Sequence, residues 1–307
     1  MSLLSLVAAL LLEQWRPLAD RRYLYLLLAR YAASLEGLFN AGEAQQGMVA
    51  WLVAVVPVVL VAWIVYALAG TTSPVLAFVF NVAALYLTMG FRQRSHFFTD
   101  IHAALKNDDL DKAREGLSAW RRENCADLDR EGVTRLALEE ALISSHRYVF
   151  GVIFWFVLLP GPTGAILYRL AMFLDGRWGE GASPGLERFG QFARNAFAVL
   201  DWLPARFTAT AFAVVGDFEN AIYCWRTQAA SWPDRTLGAV LSSGAGAIGV
   251  RLGMPIAVGG KLLDRPPLGL GDAADVGHMD SLVGLAWRAL VMWLLVLLLV
   301  ALAGAAR

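Results

Sequence analysis

The sequence predicts an all-α, polytopic integral membrane protein, and three observations predict it. Of 307 residues, 58% are hydrophobic and 17% charged, against roughly 45–50% apolar and about 25% charged in soluble domains. Two long stretches carry at most one charge each, and a helix needs about 20 apolar residues to cross a bilayer core. Eleven tryptophans supply the amphipathic bulk that settles at membrane interfaces. The formal net charge is zero, which gives a polyelectrolyte nothing to hold and argues against nucleic acid as a partner. The expectation is a single membrane domain over 1–307 with about four to five membrane-embedded helical segments. One of these is broken or re-entrant.

The elements follow in chain order. "MSLLSLVAALLLEQWRPL" has the apolar run of a secretory leader. It lacks a basic start and a small-x-small cleavage site, so it is read as retained. Met1–Leu12 is too short to span alone and is expected to lie partly inserted. Val49–Ala69 is uncharged over 21 residues and reads as a span. Val75–Phe91 is also uncharged, with Asn81 inside, and pairs with it through a "GTTSP" turn at 70–74 as a helical hairpin. That turn has no Lys or Arg, whereas 92–147 has ten. Positive residues stay cytoplasmic, so 92–147 is expected to be a cytosolic helical insertion. The segment carrying Arg16, Arg21, Arg22 and Arg30 is expected on the same side. Within the insertion, Asp108 or Asp109 is an N-cap. Leu110, Ala113, Leu117 and Trp120 fall on one helical face, and the charges form a solvated face.

Val149–Leu174 is apolar but broken by "PGPTG" at 160–164, where proline and glycine end a helix. Each half is too short to span. Either the two form a re-entrant pair with both ends cytosolic, or they make one kinked span. Residues 175–284 are expected to be mostly cytosolic or interfacial. "RWGEGASPG" (177–185) and "LLDRPPLGLGDAADVG" (262–277) read as loops, with no strand series and no internal repeat. Leu285–Gly304 is the last span, and Arg288 near its start can snorkel. Cys125 and Cys224 are the only cysteines and are expected as reduced thiols.

"VLDWLPARFTA" (199–209) sets a sharper question. Asp201 reads as the N-cap of a helix over Trp202–Val215. Pro204 then sits in the first turn, where its missing N–H costs nothing, and Gly216 ends the helix. Arg206 has no such cause, and at mid-membrane it costs about 2.5–3.5 kcal/mol. Either the helix lies at the interface or Arg206 meets an anion such as a phosphate or carboxylate. An internal salt bridge to Asp201 or Asp217 stands beside these. Arg169, inside a broken apolar run, is a site candidate on the same ground, with snorkelling as the alternative. "GAGAIG" (244–249) fits G-x-G-x-x-G formally. No strand precedes it, so close helix packing is the better reading. His96, His102, His146 and His278 are scattered. His96 and Asp100 share a helical face, but two ligands do not make a metal site, and none is expected. Ser144, Ser145 and His146 are adjacent and do not face one another as a hydrolase triad needs.

Several blocks stand together: "DWLPARFTA" (201–209), "GPTGAILYRLAMFLD" (161–175), "GAGAIGVRLG" (244–253), "RPPLGLGD" (265–272) and "DLDKAR" (109–114). They resemble the CobD/CbiB superfamily of bacterial inner-membrane proteins of cobalamin biosynthesis, which includes an AmpE branch. The first is similar to that family's Asn-Trp-Ile-Pro-Ala-Arg-Leu-Thr-Ala block. The third looks like its Gly-Ala-Leu-Gly-Val-Arg-Leu-Gly block. The resemblance implies a multi-pass protein of the bacterial inner membrane, in contact with membrane lipid. It implies a reaction in which a corrinoid carboxylate, activated with ATP, is joined to aminopropanol or its phosphate, with Mg²⁺, acidic ligands and basic groups for phosphates. By matched positions Tyr168, Arg169, Asp175, Pro204, Arg206, Arg251 and Gly253 carry over. With Arg147 and Asp201, matched through "SSHRYVFGVIFWF" and "VLDWLPAR" to AmpE-like proteins, the binding set is Arg147, Tyr168, Arg169, Asp201, Arg206 and Arg251. These are expected to line a cytosolic-facing crevice that takes a corrinoid or phosphate-bearing ligand. Glu139 and Asp175 are the catalytic candidates.

The family's acidic element falls here on "ISSHRY" (143–148), and its paired aspartates fall on Phe197 and Ala198. The acids left to take their place include Glu139, Glu140, Asp272 and Asp280. The alternatives are an AmpE-like modulator of β-lactamase induction working through protein partners, and a small-anion transporter.

Overall fold

Helix makes up nearly all the regular structure, as the composition requires. The computed structural model describes residues 2–15, 22–40, 42–179 and 186–305. Arg16, Arg21 and positions 180–185 of the expected "RWGEGASPG" loop fall outside the described residues. The helices run in order α1 (Ser2–Trp15), α2 (Arg22–Phe39), α3 (Ala44–Thr72), α4 (Pro74–Thr88), α5 (Phe91–Lys106), α6 (Leu110–Arg121), α7 (Arg130–Ser145), α8 (Gly151–Leu158), α9 (Thr163–Trp178), α10 (Gln191–Val215), α11 (Phe218–Gln228), α12 (Arg235–Ile248) and α13 (Val276–Ala305). Ahead of α13 come β1 (Leu252–Gly253), β2 (Ile256–Val258), β3 (Lys261–Leu263) and β4 (Pro267–Leu268). Among the described residues, Ala44–Thr72, Arg130–Leu158, Gln191–Val215 and Val276–Gly304 are long and apolar enough to cross a membrane. The protein is an all-α polytopic membrane protein. Its chain divides into two compact units, 1–90 with 151–203, and 91–150 with 204–307.

In the first unit, α3 and α4 pack as the expected hairpin, and the turn contracts to a single residue. Ser73 is extended, its Oγ accepts the Val75 N–H at 3.2 Å, and Pro74 takes the first helical position, where no donor is missed. Pro57 lies inside α3 and removes the bond that would end on the Val53 carbonyl. The Tyr31 hydroxyl of α2 donates to that carbonyl at 3.2 Å instead.

The "PGPTG" break does reverse the chain. Helices α8 and α9 form an antiparallel pair, fixed by two close approaches: a Cβ on Gly164 would stand 1.9 Å from the Trp155 carbonyl, and one on Gly151 2.5 Å from the Tyr168 ring. Such a reversal is not the course of one kinked span. Glu36 anchors the far end of α9. It accepts from Arg177 Nε at 2.8 Å and from the indole of fully buried Trp178 at 2.7 Å.

The reading of "VLDWLPARFTA" needs correction. Helix α10 begins at Gln191 and runs through Pro204 to Val215. Asp201 is therefore a buried mid-helix residue and not an N-cap. The proline is tolerated because the Leu200 carbonyl it strands accepts the Trp155 indole N–H at 3.1 Å, which re-satisfies a group that apolar surroundings would punish. Gly216 follows the end of α10 as expected.

In the second unit, Asp109 caps α6 by accepting the Lys112 N–H at 3.1 Å, and Ala113, Leu117 and Trp120 are buried, as expected. Helix α7 continues through a π turn at His146–Phe150 into α8. The half before "PGPTG" is thus not too short to span: Arg130–Leu158 is 29 residues long. The charge-based boundary at 147 falls inside a helix. Gly244 of α12 rests on Leu142, and Gly246 on the Asn220 carbonyl, each too close for a Cβ. "GAGAIG" therefore serves helix packing. The absence of strands expected over 175–284 is also corrected: β1 pairs with β4 and β2 with β3, both antiparallel. Strands of two or three residues are too short for alternation to show in a sequence. Cys125 and Cys224 are buried free thiols.

Candidate functional site

In the second unit, the blocks "GVRLG" and "RPPLGLGD" fold into one braced loop. Leu252 pairs with Leu268 and Gly253 with Pro267. The Arg251 N–H donates to the Asp272 carbonyl at 2.9 Å, and the Asp272 N–H to that of Gly249 at 3.1 Å. Two glycines are required here. Gly253 (φ +69°) and Gly269 (φ +80°) are left-handed, and a Cβ on either would stand 2.1 Å from a carbonyl oxygen, that of Pro266 or of Val250.

Side chains tie this loop to the helices. Glu139 of α7 is 2% exposed. It accepts the Gly253 N–H at 2.9 Å and Arg265 Nη1 at 2.6 Å, while Arg265 Nη2 donates to the Gly253 carbonyl at 3.1 Å. The Arg265 guanidinium also faces the Trp232 ring at 5.6 Å. From α11, the Gln228 amide accepts the Gly269 N–H at 2.6 Å and donates to the Gly269 carbonyl at 3.2 Å. The product is a rigid loop from which the Arg251 side chain projects exposed. An exposed guanidinium on a fixed backbone is suited to a phosphate or carboxylate.

One residue along α7, Glu140 faces other partners. Arg94 Nη1 of α5 lies 3.8 Å from Glu140 Oε1, and Arg121 Nη1 of α6 lies 3.9 Å from Oε2. Each arginine is held from behind. Arg94 Nη2 donates to the Tyr148 hydroxyl at 2.5 Å, with its guanidinium 4.6 Å above that ring. Arg121 donates to Glu123 through Nη2 at 3.0 Å and Nε at 3.2 Å. Burial works to lower the Arg121 pKa, but Glu123, with Glu140 and Glu139 behind it, outweighs burial and holds it above the ordinary arginine value.

In the first unit, Tyr168 and Asp201 meet. The fully buried Tyr168 hydroxyl donates to Asp201 Oδ1 at 2.6 Å, the length of a charge-assisted bond. Gly151 leaves the room for the Tyr168 ring. Arg169, beside it on α9, is half-buried, with Nη1 3.6 Å from the Met172 sulfur. Asp175 lies two turns further along α9, near Arg177, and its carbonyl accepts the Gly179 N–H at 2.7 Å.

The expected residues therefore divide. Tyr168, Arg169, Asp175 and Asp201 belong to the first unit, and Glu139, Arg147, Arg206 and Arg251 to the second. Of these, Tyr168 meets Asp201, and Glu139 meets the backbone two residues beyond Arg251. Arg147, in the π turn, stands 3.8 Å from Asp234, which also caps α12. Arg206 is half-buried on α10. Of the two acids expected opposite it, Asp201 accepts from Tyr168 and Asp217 caps α11 through the Asn220 N–H. Buried His146 lies 2.9 Å from the Thr208 hydroxyl through Nδ1. Among the remaining acids, Asp280 is exposed, with His102 at 3.5 Å and Lys106 at 3.8 Å. Residues missed from sequence include Arg94, Arg121, Gln228 and Arg265. Arg265 opens a block already singled out, and its partner Glu139 was named. The others carry no local signal, because their role depends on non-local packing. Among the described residues, no three His, Cys, Asp or Glu come together as a metal site.

Comparison with known proteins agrees with the blocks. The CobD/Cbib protein family model matches residues 6–286. The chain is 36% identical over 299 residues to the cobalamin biosynthesis protein CobD of Stutzerimonas stutzeri, covering 96% of each chain. It is 36% identical over 248 residues to the protein of the same name from Chromobacterium violaceum, covering 81% of this chain and 77% of that one. The Mycobacterium tuberculosis protein of that name is 29% identical over 85% of this chain and 83% of its own. No solved structure matches.

Proposed function

This chain belongs to the CobD/CbiB family, and from that premise we propose that it acts in cobalamin biosynthesis as a multi-pass protein of the bacterial inner membrane. The reaction is the joining of aminopropanol or its phosphate to an activated corrinoid carboxylate. The amine nitrogen attacks the carboxyl carbon, the C–N bond forms, and the activating phosphate leaves with the C–O electron pair. The observation that carries this reading is likeness over 96% of both chains to a relative named for that pathway. The braced loop agrees with it, since Arg251 is presented on a backbone fixed by Glu139, Arg265 and Gln228. Its guanidinium would neutralise charge on a phosphate-bearing ligand, where such charge is otherwise costly to desolvate. Glu139 serves as a brace in this reading, because both its oxygens are engaged. Asp175 remains the acid of the family block.

Among the described residues, no three His, Cys, Asp or Glu side chains come together to hold Mg²⁺ by themselves. Mg²⁺ commonly binds through one or two carboxylates plus substrate phosphates. The β-lactamase-signalling alternative draws no support from the relatives above, and no observation favours transport.

Complementation tests the proposal. A bacterial strain lacking its own family member, grown where growth depends on cobalamin synthesis, should be rescued by this chain. Rescue should be lost on Arg251→Ala or Arg206→Ala at equal membrane abundance. Failure of the wild-type chain to rescue, when present in the membrane, would overturn the reading.

A further inference from the structure

Two guanidinium groups from different helices converge on one carboxylate without closing on it. Arg94 Nη1 and Arg121 Nη1 stop 3.8 and 3.9 Å from the two oxygens of Glu140. A mature guanidinium–carboxylate bond closes to about 2.7–2.9 Å. The short bonds of both arginines go elsewhere, to Tyr148 and to Glu123. These anchors hold the two guanidinium groups while one nitrogen of each remains within 4 Å of the same carboxylate. Glu139, the next acid, is held by Arg265 at 2.6 Å. The Glu140 side chain is one-fifth exposed and lies within Arg130–Leu158, ahead of its uncharged stretch 148–158.

We propose that Arg94 and Arg121 form a binding site for a phosphate group, with Glu140 as the internal carboxylate that occupies it when no phosphate is bound. Three oxygens on a tetrahedral centre can bridge two fixed guanidinium donors that one carboxylate spans only loosely. Glu140 then competes with the ligand and swings toward solvent when the ligand enters. The phosphate has two sources of the same chemistry, a soluble phosphate ester or a phospholipid headgroup. The inference is independent of the ligase reading, since binding is measured without any corrinoid.

The test uses the full-length protein in a phosphate-free maltoside detergent. One arm titrates inorganic pyrophosphate by calorimetry. The other follows retention of added phosphatidylglycerol by native mass spectrometry. Arg94→Gln and Arg121→Gln should each weaken binding in one arm by about tenfold or more, the scale of one lost charge-assisted contact. The arm that responds identifies the source. Glu140→Gln, which keeps the side-chain shape and removes its charge, should tighten binding in that same arm, which a merely structural ion pair would not do. The proposal is overturned if neither arm responds to the arginine variants, or if Glu140→Gln leaves binding unchanged or weakens it.

Discussion

Glu139 and Arg265 are 3% and 12% exposed in their side chains and share a 2.6 Å contact. A buried pair of this kind is a weak source of net stability, but breaking it leaves an uncompensated charge. Glu139→Gln is therefore expected to cost about 3–5 kcal/mol, read as a fall in thermal unfolding temperature of the detergent-solubilised protein. An Arg265→Met, Glu139→Leu double variant should recover much of that loss. Asp275 gives a pH prediction. Its Oδ1 accepts the His278 N–H at 2.9 Å and lies 2.6 Å from the His278 ring. The backbone hydrogen bond from His278 is the largest cause, and it holds the carboxyl below the ordinary value of 3.8. A depressed carboxylate pKa means the stabilising contribution is complete above that ordinary value and is lost as pH falls through the lower, folded one. Protection of the His278 amide, taken relative to its intrinsic exchange rate, should therefore fall only in the acid range below pH 3.8, and Asp275→Ala should remove that loss.

At the scale of elements, the prolines separate what a sequence states from what it withholds. The reading of Pro204 as a first-turn residue followed the general rule that an interior proline breaks a helix. What overrode the rule is Trp155, 45 residues away in sequence, whose indole fills the stranded Leu200 carbonyl. Tyr31 plays the same part for Pro57 in α3. No local pattern announces such a donor. Trp155→Phe keeps the ring bulk and removes the N–H, so it should cost about 1–3 kcal/mol of thermal stability. Trp155→Phe combined with Pro204→Ala should cost less than Trp155→Phe alone, because the helix regains its own donor. By contrast, the α3–α4 hairpin, the amphipathic face of α6 and the break before α9 were all legible. Each is written in uncharged length, in apolar spacing, or in proline and glycine. The binding blocks were legible only through family likeness, and their bracing by Gln228 and Arg265 appears only once the loop is folded.

For the whole molecule, charge placement sets a topology that can be checked directly. The native thiols are silent reporters. Cys125 and Cys224 are buried, and burial, with Asp217 adding to it, pushes the Cys224 thiol up to about 11. A single cysteine placed at Glu115 or at Leu262, both exposed, should react with an impermeant maleimide only from the cytosolic side. One at Thr71, in the uncharged turn, should react only from the other side. Labelling of positions 115 and 71 from the same face would overturn the orientation. The proposed chemistry is followed most directly through the corrinoid itself. Membranes containing this chain, given ATP, Mg²⁺, a corrinoid acid and aminopropanol phosphate, are analysed by mass spectrometry. The wild-type chain should yield a corrinoid heavier by the added amine less one water, and Arg251→Ala should abolish that product. An unchanged corrinoid mass, with the wild-type chain folded and abundant in those membranes, would contradict the proposed chemistry.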